Sequence, residues 1–185
     1  MKKRINKHLE KRDKVKVYIV DENGNEITDF EGFIIEESEK YILMSDMFDF
    51  YYNGLVVLRK RDIYEIRCSD NEKFFKYMLD KEKITDAIFE KRNQIDFKLG
   101  SFKEMFESLQ RLGIPIIIEC DYGTKDRFII GPVSDFDNKK VKINYFNSRG
   151  VYDLKPVVAK YKDITFIKID SPYANIFFKY AKEIE

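Results

Sequence analysis

A nine-residue segment occurs twice in this chain, and the interval between the copies limits what the chain can fold into. Leu58-Arg59-Lys60-Arg61-Asp62-Ile63-Tyr64-Glu65-Ile66 is matched by Ala159-Lys160-Tyr161-Lys162-Asp163-Ile164-Thr165-Phe166-Ile167. Behind each copy lies the same tetrapeptide, Phe74-Phe75-Lys76-Tyr77 and Phe177-Phe178-Lys179-Tyr180. Gly32 and Gly131 keep nearly the same spacing. A separation of roughly one hundred residues, held by three separate landmarks, marks a duplicated domain.

Each half must then build a core from a short chain. The 16 Phe and 12 Tyr supply the necessary bulk in the absence of Trp. Small domains bury a modest share of their surface, so the halves are expected to pack on each other or on a second copy. The 34 Lys and Arg nearly cancel the 33 Asp and Glu. That balance excludes a protein whose whole surface attracts nucleic acid, and leaves local patches open. Cys68 and Cys120 lie in no pairing motif and are expected to be buried free thiols in a reducing compartment. The basic N-terminal sequence lacks an apolar h-region, and no stretch approaches the roughly 18 apolar residues of a membrane span. A cytoplasmic protein with no membrane partner is expected.

Read in order, 1–14 is a basic tail with Lys2, Lys3, Arg4, Lys7, Lys11, Arg12 and Lys14. Ile5 and Leu9 permit a short helix, but a frayed, solubilising end is favoured, since no aromatic interleaves the charges. Alternating apolar residues predict strands over 15–20, 27–36 and 41–45, then 55–59 and 63–68. Gly32 interrupts the second strand, where a bend or bulge is needed. An aromatic connection with Phe48, Phe50, Tyr51 and Tyr52 fills 47–54. Ser69 or Asp70 caps a helix that presents Phe74, Phe75, Met78 and Leu79 on one face. A partial helical period runs over 84–97. Ser101 and Glu104 form a capping box ahead of an apolar stripe through Phe102, Met105, Phe106, Leu109 and Leu112. The second half repeats the plan, with strands over 114–120, 127–136, 141–145, 151–160 and 164–169, a turn over 121–124, and a final helix opened by Pro172.

Five short antiparallel strands with a glycine bend in the second describe a small SH3-like closed barrel. Gly131, Val133, Phe136 and Asp137 follow the first motif of the Sm-like proteins, and Gly32 and Ile34 follow it in part. Leu58, Arg59, Ile63 and Ile66 follow the second motif, as do Ala159, Lys160, Ile164 and Ile167. The chain therefore resembles the Sm-like family, including its bacterial RNA-chaperone branch. The family's corner is Arg-Gly or Tyr-Lys-His, where this chain has Arg59-Lys60-Arg61 and Lys160-Tyr161-Lys162. The base-reading Asn of the eukaryotic motif is Ile42 or Val141 here.

The expected fold class is mainly β with helices: two duplicated five-stranded antiparallel Sm-like barrels, each followed by a helix. The domains are a first barrel and helix over 15–80, a helical linker over 81–113, and a second barrel and helix over 114–185. The resemblance implies self-association through barrel edge strands and binding of single-stranded RNA.

The chemistry of the side chains narrows the site. His8 is the one histidine, and a frayed end cannot hold a catalytic base in place. His and Cys together are too few for a metal site built on them. Phosphate loops of the GxGxxG and GxxxxGK kinds are absent. No catalytic residue, metal or cofactor is expected. Candidate nucleic-acid contacts are Arg59, Lys60 and Arg61 at one corner and Lys160, Tyr161 and Lys162 at the other, because Arg and Lys meet phosphates and Tyr stacks on bases. Phe48, Phe50, Tyr51 and Tyr52, with Tyr145, Phe146 and Tyr152, are a second set that could stack bases, though aromatics at this density more often fill an interface between barrels. A protein-interaction or scaffolding module without nucleic acid is the alternative.

Overall fold

A computed structural model describes residues 2–21, 23–120 and 127–181. The expected turn at 121–124 lies outside the described residues, as do Glu22 of the first turn and 182–185 at the end of the second expected domain. The described residues are mainly β with five helices, and the chain divides into two compact units, Met1–Leu99 and Gly100–Glu185. The expected linker over 81–113 is shared between them. No helix among the described residues is long and apolar enough to cross a membrane.

The first unit opens with helix α1 (Lys2–Lys11). This is not a frayed end. Ile5 is fully buried and His8 nearly so, because the helix lies on the sheet with its apolar side inward. Strands β1 (Lys14–Val20), β2 (Glu26–Glu37), β3 (Tyr41–Phe48), β4 (Tyr51–Arg59) and β5 (Ile63–Arg67) follow. A single 3-10 turn at Lys60–Asp62 separates the last two. Two helices, α2 (Asp70–Lys81) and α3 (Ile84–Asn93), complete the unit. The aromatic connection expected over 47–54 is a tight hairpin instead. Asp49 adopts φ +52, and cross-strand pairing extends to Phe48 and Tyr51.

The second unit holds α4 (Phe102–Leu112), then β6 (Pro115–Cys120), β7 (Arg127–Phe136), β8 (Lys140–Ile143), β9 (Val157–Lys160), β10 (Phe166–Ile169) and α5 (Pro172–Tyr180). A 3-10 turn at Tyr161–Asp163 again precedes the last strand. The capping box of α4 forms as the sequence predicts: Ser101 N–H donates to Glu104 at 2.7 Å and Glu104 N–H donates to Ser101 Oγ at 3.3 Å. The fourth strand is shorter than expected. Pro156 lacks an N–H for a ladder, and only an isolated bridge between Phe146 and Tyr152 forms upstream.

The strand order is β5-β1-β2-β3-β4 in the first unit and β10-β6-β7-β8-β9 in the second. The two orders have the same connectivity. In each, the long second strand changes partner partway along. β2 pairs with β1 as far as Phe33, then with β3 from Ile34. β7 pairs with β6 as far as Pro132, then with β8 from Val133. A register shift follows at once in both, between Ile34 and Glu36 and between Val133 and Asp135. Such a strand bends a sheet around its core.

The glycine sits at the changeover for a steric reason. Gly32 has φ +155 and Gly131 φ +150. A Cβ on Gly32 would lie 2.1 Å from the carbonyl oxygen of Ser45, and one on Gly131 would lie 2.0 Å from that of Asn144. The two carbonyls are separated by the same interval as the two glycines. Pairing does not close either sheet into the expected barrel: β5 has β1 as its one strand neighbour and β9 has β8. The one-turn 3-10 corner sends β5 away from β4 to pair with β1, and the bend at Gly32 curls the sheet without making a last ladder.

Burial follows the alternation. Val15, Val17 and Ile19 are buried on β1, and Val141 and Ile143 on β8. A second layer forms where helices cover the sheets. Phe33 and Met47 pack with Leu79 of α2 and Ile88 of α3. Phe146 packs with Ile117, Ile130 and Ala174 of α5. The face expected for α2 is corrected here: Leu79 is buried, but Phe74 is exposed and stacks on Tyr77 with centroids 6.5 Å apart.

Candidate nucleic-acid interface

Both corners are single 3-10 turns, and the fold fixes them alike. Lys60 N–H donates to Lys40 O at 2.9 Å, and Tyr161 N–H donates to Lys139 O at 2.8 Å. Each corner is thus tied to the turn between the second and third strands of its own unit. The side chains around the two corners differ sharply.

In the first unit the cations are engaged with acids. Arg59 is buried, with Nη1 3.7 Å from Asp62 Oδ2. Lys60 pairs with Glu37, both largely buried. Arg61 extends into solvent, its Nε 3.3 Å from Asp62 Oδ1. Of the three expected contacts, only Arg61 presents itself to a ligand.

In the second unit the corner stays basic. Lys160 and Lys162 are exposed. They line a cleft of about 500 Å³ with Tyr161 and the turn Asp137, Asn138, Lys139 and Lys140. Lys140 and Lys160 face each other directly across β8 and β9, where like charges repel. Asp137 is the only acid in the lining, and its oxygen is 3.9 Å from Lys140 Nζ. The backbone N–H groups of Lys139 and Lys140, 2.7 and 3.0 Å from Asp137 Oδ1, hold that carboxyl below the usual range. Lys142, two residues along β8, pairs instead with Asp135 at 2.8 Å. Among the described residues, Lys139, Lys160 and Lys162 make no ion pair.

Tyr161 forms the wall of this cleft. Its hydroxyl donates to Asp137 O at 2.6 Å. Its ring packs on Phe106 and Phe102, with centroids 5.5 and 5.0 Å away. Burial, and secondarily Asp137, pushes its phenol up to about 12. The residue expected to stack on a base is therefore built into the packing of α4. Phe146 of the second aromatic set is likewise core, whereas Phe48 and Tyr51 are exposed.

Lys139, Lys140 and Asn138 were not singled out from the sequence. The signal was present in the consecutive Asn138-Lys139-Lys140 turn, but only the fold sets that turn beside the corner.

The single histidine also behaves differently from expectation. His8 Nδ1 lies 2.9 Å from Asp13 Oδ2, and donor atoms of His8, Asp13 and Cys68 all lie within 4.8 Å of one another. Both cysteines are free, but Cys68 is only half-buried. Burial, and then the charge of Asp13, raises the Cys68 thiol, the opposite of what a nucleophile needs.

No protein-family model, no curated protein and no solved structure matches the chain.

Proposed function

We propose that the protein is a non-enzymatic binding protein made of two fused, duplicated Sm-like modules, and that the second module holds the phosphate backbone of single-stranded RNA. The observation that carries this reading is the lysine cleft: Lys139, Lys140, Lys160 and Lys162 converge on one opening with a single opposing carboxylate. Uncompensated like charge is unfavourable to assemble, and an anion that bridges it releases counterions on binding. The shared strand order, changeover glycine and 3-10 corner support the duplication. The first module is the structural copy, its corner stabilised by internal ion pairs.

Fluorescence anisotropy with a labelled single-stranded oligoribonucleotide at low salt tests the proposal. Saturable binding supports it, and absence of binding at low salt ends it. The ion-paired first corner favours a second reading, a protein-interaction module with no nucleic-acid ligand. A pull-down that returns one protein partner, unaffected by nuclease, would support that reading instead.

A further inference from the structure

We infer that the first unit carries a site for a zinc-class divalent cation, formed by His8, Asp13 and Cys68. His8 and Asp13 are five residues apart while Cys68 is distant in sequence, and three features of the fold bring them together. Helix α1 ends at Lys11, and the next residue, Arg12, adopts φ +47. Asp13 N–H then donates back to His8 O at 3.0 Å, a helix-ending reversal that folds the chain over its own last turn. The Asp13 carboxylate consequently meets the His8 ring at 2.9 Å. β5 runs antiparallel to β1, with Arg67 opposite Lys16, so Cys68 falls beside the start of β1.

The turn is held from outside as well. The Arg12 guanidinium lies over the Phe89 ring, 4.4 Å from its centroid, and 3.4 Å from Asp86 of α3. The donors therefore stand on a helix end, a braced turn and a strand end, as a preorganised site requires. His8 is buried and the Asp13 side chain is 21% exposed, which leaves a partly open approach.

One nitrogen, one oxygen and one sulfur within 4.8 Å can converge on an ion at ordinary zinc–ligand lengths of about 2.0–2.3 Å. Imidazole and thiolate select zinc-class ions over magnesium or calcium, which prefer oxygen. Three protein ligands leave a fourth position for water. On binding, the Cys68 thiol gives its proton to solvent, and the His8 ring shifts from the Nδ1–H to the Nε2–H tautomer by exchange with solvent, which frees the Nδ1 and Asp13 Oδ2 lone pairs, now joined by one hydrogen bond, for the ion.

The test uses the full chain, reduced and stripped with a chelator, then titrated with Co²⁺. One equivalent is expected to give a thiolate-to-cobalt absorption that one equivalent of Zn²⁺ abolishes. Cys68→Ser removes that absorption, and His8→Gln weakens binding by at least about tenfold. Zinc also slows alkylation of Cys68 about tenfold in the unsubstituted protein, read by peptide mass mapping, a measurement that needs no variant to fold. Absence of the absorption, its persistence in Cys68→Ser, or equal alkylation rates with and without zinc would overturn the inference, leaving His8–Asp13 a plain hydrogen-bonded pair.

Discussion

Gly131→Ala is the sharpest perturbation of the proposed architecture. Two costs add. An L-residue held at φ +150 occupies a region that costs about 1–3 kcal/mol. The new methyl group would also sit 2.0 Å from the Asn144 carbonyl oxygen. That atom is backbone, so relief requires moving a strand, which costs about another 1–3 kcal/mol. The expected loss is therefore about 2–6 kcal/mol. Gly32→Ala should lose a similar amount, because its Cβ would meet the Ser45 carbonyl oxygen at 2.1 Å. Denaturant titration followed by circular dichroism reads the change as a shift in midpoint at constant slope. A loss below about 1 kcal/mol at either glycine would refute the reasoning. It would mean that the second strand does not change partner against that carbonyl, and the correspondence between the units would fail with it.

Two other predictions concern the first unit. Ile5→Ala should cost about 2–5 kcal/mol, measured by denaturant titration, because the side chain is fully buried; a frayed tail would give almost no change. Glu72 is buried; its burial opposes ionisation, but hydrogen bonds from Arg67 and Ser69 outweigh it and lower the carboxyl from 4.5 to about 2. Its folded-state value is depressed, so its contribution is present above about pH 4.5 and is lost as pH falls towards 2. The shift corresponds to about 3 kcal/mol. Glu72→Gln should lower stability at pH 7 and flatten the stability profile between those pH values, read by urea titration at a series of pH values.

Much of the fold was legible in the sequence because its strongest determinants are local. Strand alternation in Val141, Ile143 and their lysine neighbours and the Ser101–Glu104 capping box act through near neighbours, and each changeover glycine is marked by its place inside a strand pattern. What escaped depended on distant contacts. The helical spacing of Ile5 and Leu9 was visible, but nothing local says that α1 packs on β2. Closure of the sheets was over-read, since motif spacing carries no information about a missing ladder between the fourth and fifth strands. The hairpin at Asp49 was hidden because aromatic residues are as much at home in strands as in loops.

The candidate site was half legible. The recurrence of cations drew attention to both corners, and each is a single 3-10 turn. It could not show that Glu37 and Asp62 would occupy Lys60, Arg59 and Arg61 in one unit, or that Phe102 and Phe106 would engage Tyr161 in the other. The partners of a surface charge are set by tertiary packing, which the repeat does not encode.

The salt dependence of RNA affinity in the wild type and in Lys160→Gln/Lys162→Gln tests the central claim most directly. Four lysine contacts to a single strand give a log–log slope of about −2.8, or roughly 50-fold weaker binding between 50 and 200 mM salt. Removing two should halve the slope to about −1.4, so that affinity falls only about sevenfold across the same range. Equal slopes for the two proteins would contradict the account, because the bound phosphates would then lie away from this corner.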